Sequence, residues 1–268
     1  MRISALSVAL VLMAGTGVAV ADDLEDAMAA LKQAEPSKDP AKIKQLAAAV
    51  HAAAQKMQTP PADNSDKEGF EARVAYAKEQ DTYSEYALFA LASQLRGQPA
   101  ALDLVSTLEK QNPKSKYLDE PESLEIQTEN ALARKQNDRA LSFANRLIAA
   151  GNRKPEGAAG DWEARKNAAL AQGYWTAGVI QADKGMLKDA DRNLRAALPL
   201  IKGNNAMAGP ALFYLGIVNF KIGQATLNKA KMLEAVKFSQ DAAAIPGPQQ
   251  DQASKNAYNI KIEADKMR

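Results

Sequence analysis

Residues 174–197 read YWTAGVIQADKGMLKDADRNLRAA, and the spacing of their small and apolar side chains decides the fold. Tyr174, Ala177 and Gly178 recur at helical spacing, as do Ala190, Leu194 and Ala197 further on. Intervals of three and four residues put each set on one face of a helix. Gly185 stands between the two sets, where a helix must stop and the chain turn back. The stretch therefore predicts an antiparallel helical hairpin, with Ala190 small enough to admit a close partner helix.

The second half of that pattern returns elsewhere. Ala101, Ala140, Ala190 and Ala235 are each followed four residues on by Val105, Ala144, Leu194 or Ser239, and seven on by Leu108, Leu147, Ala197 or Ala242. Such self-similarity marks stacked supersecondary units, none of which buries its apolar face alone. Composition agrees. The chain is rich in Ala, Leu, Lys, Glu and Gln, has no stretch of period-two alternation, and is dense in helix punctuation. Asp39-Pro40, Gln98-Pro99, Gly209-Pro210 and Gly247-Pro248 place Pro at expected helix starts. Ser65 with Glu68 fits a capping box, Asp138 and Asp161 fit N-caps, and Gly97, Gly151 and Gly203 fit stops. These marks predict about a dozen helices, near 24–35, 41–58, 66–80, 82–96, 99–111, 121–135, 138–150, 161–184, 187–201, 209–228, 231–244 and 249–266.

On those residues the chain resembles tetratricopeptide-repeat proteins. The unit around Tyr174, Ala177, Gly178, Gly185, Ala190, Leu194 and Ala197 is the best match. A following unit matches through Leu212, Leu215, Gly216 and Gly223, departs from the family through extra residues near Gln224 to Lys231, and closes at Pro246. Two earlier units depart further: Phe89 or Ala90 replaces the small residue in one, and Glu129 in the other, although Asn112-Pro113 ends the first in the family's manner. The resemblance covers 83–246. Residues 22–80 read as N-terminal helices without the signature, and 249–268 resemble the polar capping helix of such arrays.

The resemblance implies an all-α fold, an α-solenoid of stacked antiparallel helical hairpins in a right-handed superhelix. It also implies a concave wall of first helices that receives a partner peptide or helix. Carried over residue by residue, that wall takes Tyr83, Tyr86 and Gln94; Ile126, Asn130 and Arg134; Gln172, Trp175, Val179 and Asp183; and Phe213, Ile217, Phe220 and Lys221. Aromatic anchors at equivalent points, Tyr86, Trp175 and Phe213, are the residue type that carries recognition energy. The same rings also suit ordinary packing between neighbouring helices.

The chain begins as a secretory leader does. Arg2 is positive, Ile3 to Ala14 is apolar, and Ala19-Val20-Ala21 is a small-x-small cleavage signal. The expected products are a signal peptide over 1–21 and a periplasmic or secreted protein starting at Asp22. The apolar run is too short for a bilayer core of roughly 30 Å, so no stable membrane insertion is expected after cleavage. Lys and Arg number 34 against 32 Asp and Glu, which offers no electrostatic reason to expect a nucleic-acid partner. There is no Cys, which excludes disulfides and thiolate metal sites.

Nothing in the sequence reads as a reactive centre, so no enzyme activity, cofactor or metal is expected. The lone histidine, His51, lies in Ala-Val-His-Ala-Ala without a metal-ligand cluster, and no nucleophile elbow accompanies it. The carboxylate pairs Asp22-Asp23, Asp119-Glu120 with Glu122, and Asp189 with Asp191 sit at helix starts or turns, where they favour the helix dipole. Gly157 to Gly160 follows no strand and reads as a connector, with Arg153-Lys154 as a solvated loop. The expectation is a non-enzymatic protein-binding scaffold. The alternative is a cell-envelope assembly or transport accessory with a mainly structural body, whose contacts lie on its convex face or N-terminal helices.

Overall fold

Asp39 accepts hydrogen bonds from the Ala41 and Lys42 amides, Pro40 takes the first helical position, and a helix starts there as the sequence predicts. In this computed structural model, which describes residues 17–60, 67–153 and 160–267, eleven α-helices and no strands form among the described residues. They are α1 Gly17–Ala34, α2 Pro40–Met57, α3 Lys67–Gln94, α4 Pro99–Gln111, α5 Pro121–Ala133, α6 Asn137–Asn152, α7 Trp162–Asp183, α8 Leu187–Ala197, α9 Asn205–Ala225, α10 Lys229–Ala243 and α11 Gln250–Lys266. The apolar leader run, the Ser65 capping box and the connector at 154–159 lie outside the described residues.

Packing follows chain order within two compact units, Met1–Leu118 and Asp119–Arg268. The helix break expected between 80 and 82 falls inside α3, which is one continuous helix. Thr82 returns its hydroxyl to the Lys78 carbonyl, Ser84 does the same to Asp81, and Asp81 faces α2, so the polar run is helical rather than a turn. In the second unit each helix packs on the next, and α5 also touches α7, α7 touches α9, and α9 touches α11. The odd-numbered helices thus form one layer of the unit, with α6, α8 and α10 packed against it. Leu124, Ala140, Leu147, Leu194, Leu215, Met232 and Ala235 are buried between them.

Three hairpin turns share one geometry. Lys135, Gly185 and Leu227 all adopt a left-handed backbone, with φ of 57°, 73° and 50°. In each, the residue after the left-handed one donates to a carbonyl five residues back: Gln136 to Ala131, Met186 to Gln181, and Asn228 to Gly223. This is the paired-bond C-terminal motif that satisfies the last carbonyls of a helix. The residues near Gln224 to Lys231 that are extra to the family pattern divide between the end of α9, the turn and the start of α10. Helix α9 continues to Ala225, the turn falls at Leu227, and Asn228 caps α10 by accepting from the Lys231 amide.

Glycine also sets helix separation. A Cβ on Gly178 would lie 2.6 Å from the Leu194 side chain and 3.0 Å from its amide nitrogen, so α7 and α8 touch there. Gly151, expected as a stop, is instead inside α6, where a Cβ would meet Leu170 of α7 at 2.8 Å. The start expected at Pro210 lies earlier as well: Asn204 accepts from the Met207 amide and α9 begins at Asn205, with Pro210 inside the helix. Helix α9 is long and apolar enough to cross a membrane by composition, and it packs against α7, α8, α10 and α11.

Candidate functional site

Phe213, Ile217 and Phe220 follow one another at i, i+4, i+7 along α9 and so share a face. The structure brings that face opposite α11, where Gln252, Asn256, Asn259, Ile260 and Glu263 complete a cleft of about 430 Å³ that also takes in Lys221. Aromatic and aliphatic side chains make the floor. Amides and two opposite charges, Lys221 and Glu263, make the rim. Phe220 packs against the cluster of Met232, Ala235, Val236, Ile260 and Ala264, which ties this part of the cleft to α10 and α11. Gln252 donates to Asn256, while Asn259 is solvent-exposed beside them.

The other expected groove residues of this unit sit differently. Trp175 is half-buried against the cluster of Leu194, Ile201 and Leu215, and its indole nitrogen donates to the Met207 carbonyl at 3.0 Å. Gln172 shares a 3.4 Å contact with the buried Thr176 hydroxyl. Asp183 is exposed at the end of α7 and accepts from Tyr214, whose phenol is pushed up from its ordinary value by burial and then by this carboxylate. Arg134 is exposed as the residue that ends α5, and Ile126 is buried.

Behind this layer, α8, α9 and α10 are joined by a polar knot. Asn219, fully buried in α9, donates to Asp191 and accepts from Arg195 and Lys231. Arg195 pairs with Asp191 and Glu234 at 2.8 Å each, and Lys231 with Glu234 at 2.9 Å. Burial raises the Glu234 pKa, but the hydrogen bonds and charges of Arg195 and Lys231 outweigh it and leave the carboxyl below its ordinary value.

In the first unit, Tyr83 and Tyr86 belong to an aromatic cluster. Tyr86 lies 6.2 Å from Tyr83 and 5.8 Å from Tyr117 between ring centroids, and Phe89 stacks on Tyr117 at 5.3 Å. Tyr86 is 47% exposed. Tyr83 is tied to α1 and its 3₁₀ extension: Lys32 lies over its ring, and its hydroxyl donates to Glu35 at 3.2 Å. Burial, followed by that bond and charge, pushes its phenol up to about 12.

A second polar feature was not foreseen from the sequence. His51 of α2 places Nδ1 2.9 and 3.1 Å from the two carboxylate oxygens of Asp81 in α3. The signal was present in the spacing of His51, Gln55 and Gln58, a polar stripe on an otherwise alanine-rich helix. What the sequence did not supply was the partner thirty positions away.

No protein-family model matches this chain, and no curated protein or solved structure is detectably similar to it.

Proposed function

We propose that the chain is an exported, non-enzymatic scaffold of the tetratricopeptide-repeat type that captures a peptide or helix of a partner protein. On this reading residues 83–246 stack as hairpins in a right-handed superhelix, and the product acts in the periplasm or outside the cell. The observation that carries the reading is the α9/α11 cleft. Three apolar side chains in register, with Phe220 packed on the core beneath and amides and both charges lining the same cleft, form the kind of surface that takes an amphipathic or extended segment. The layer of odd-numbered helices and the shared turn of three hairpins support the stacked-repeat part of the proposal.

The test is crosslinking in cells with a photoreactive residue at Lys221, compared with the same group at Leu227, which is 83% exposed in a turn. A specific adduct at 221 that falls sharply when Phe213 and Phe220 are both changed to Ala is expected, since anchors of this type contribute about 2 kcal/mol or more. Equal labelling at both positions, or adducts indifferent to the double substitution, would remove the cleft from the binding surface. One observation favours a second reading, an envelope-assembly or transport accessory that makes its contacts through its convex face or N-terminal helices: Tyr76 of α3, a ring 37% exposed. Adducts formed at Tyr76 and absent at both Lys221 and Tyr86 would select it.

A further inference from the structure

The first unit contains a cavity of about 340 Å³ in which His51, Gln55 and Gln58 of α2, Lys78, Asp81, Thr82 and Glu85 of α3, and Gln111 and Asn112 at the end of α4 line the wall. Every one of these side chains carries a hydrogen-bonding group. Asp81 and Glu85, one helical turn apart, are only 8% and 6% exposed. Removing two carboxylates from water is costly, and here His51 stands beside Asp81 while Glu85 is met only by neutral donors.

The hydrogen bonds already made leave the cavity rich in acceptors. Since a carboxylate only accepts, His51 donates from Nδ1 to Asp81, and Nε2 has no hydrogen-bond partner among the described residues. Gln55 gives its amide nitrogen to Asp81, and Gln58 gives its own to the Ala54 carbonyl. Their acceptors fix both amides, so each turns an unused oxygen the other way. Thr82 donates to the Lys78 carbonyl, and Asn112 and Ser115 donate to the two oxygens of Glu85 at 2.7 and 2.6 Å. Gln111 has both amide atoms shut off from solvent and unpaired. Among the lining residues the only fixed cation is Lys78, which is solvent-exposed and makes no ion pair with a described residue.

We propose that this cavity binds a small organic cation, an alkylammonium or guanidinium compound. Such a ligand brings several N–H donors and no acceptors to a wall with surplus acceptors and two buried negative charges. A metal ion fits less well, because no three His, Asp or Glu side chains converge among the described residues. The site lies wholly in the first unit and does not depend on the α9/α11 cleft.

The test is isothermal titration of the full chain with 1,5-diaminopentane, against 1,5-pentanediol as the uncharged analogue of equal length. Saturable binding of the diamine with a Kd below about 1 mM, and none of the diol, is expected. Glu85→Gln keeps a side chain able to bond Asn112 and Ser115, so helix content by circular dichroism is retained, while diamine affinity falls about tenfold. Lys78→Ala, on the exposed face of α3, removes a positive charge from the cavity wall that repels a cationic ligand, and tightens the diamine severalfold. Absence of saturation, equal binding of the diol, an unchanged affinity in Glu85→Gln, or unchanged or weaker binding in Lys78→Ala would each overturn the proposal.

Discussion

The indole nitrogen of Trp175 in α7 donates to the carbonyl of Met207 in α9 across 3.0 Å, tying two helices of the same layer at the first turn of the second. Trp175→Phe keeps most of the ring's packing and removes this bond, so it should cost about 1 kcal/mol. Trp175→Ala removes the packing as well and should cost about 3 kcal/mol. Urea denaturation of both variants measures the difference, and equal costs would assign the whole effect to packing.

Glu234 supplies a pH dependence whose sign is fixed. Its folded pKa lies below the ordinary carboxyl value of 4.5, so its contribution is fully present above that value and is lost as pH falls through the folded pKa. Wild-type stability should therefore drop more steeply than that of Glu234→Gln on going below about pH 4.5. Denaturation midpoints of both proteins across an acid series test this. Parallel curves would show that Arg195 and Lys231 do not favour the ionised form.

Leu227 is a β-carbon-bearing residue in a left-handed backbone, and its side chain is almost wholly in solvent. Leu227→Gly relieves the steric cost without losing packing and should stabilise the chain by about 1 kcal/mol. A higher thermal midpoint is the expected outcome; a lower one would mean that the exposed leucine contributes in the native state.

Gly178→Ala should do the opposite. Leu194 would have to give way both in its side chain and at its backbone nitrogen, so a loss of about 1–3 kcal/mol is expected by calorimetry. The same change at Gly160, where a Cβ meets nothing within 4 Å, provides the control and should be nearly neutral.

Much of the helical framework was legible because its signals are local. Asp39 before Pro40, and Gly97, Gly185 and Gly203 with φ of 79°, 73° and 87°, mark ends by their own backbone chemistry. Lys135 and Leu227 make the same turn as Gly185, but their side chains give no hint of a left-handed backbone, so the sequence places the α9–α10 turn a few residues later than the structure does. Gly151 illustrates the converse, since a close approach and a stop place the same demand on residue type. The floor of the α9/α11 cleft was legible from the spacing of Phe213 and Phe220. The His51–Asp81 pair was not, because it depends on which helices meet, and so does the use of the Trp175 indole within the packed layer.

In the second unit the substantial neighbours of each helix lie one or two places away along the chain. Loops closed during folding are consequently short, which favours rapid assembly from local nuclei over a search for distant partners. Shortening the chain from its C-terminal side should then strip away one helical layer at a time, leaving the preceding hairpins intact but with a newly wetted apolar edge at Ile217 and Phe220 once α11 is gone.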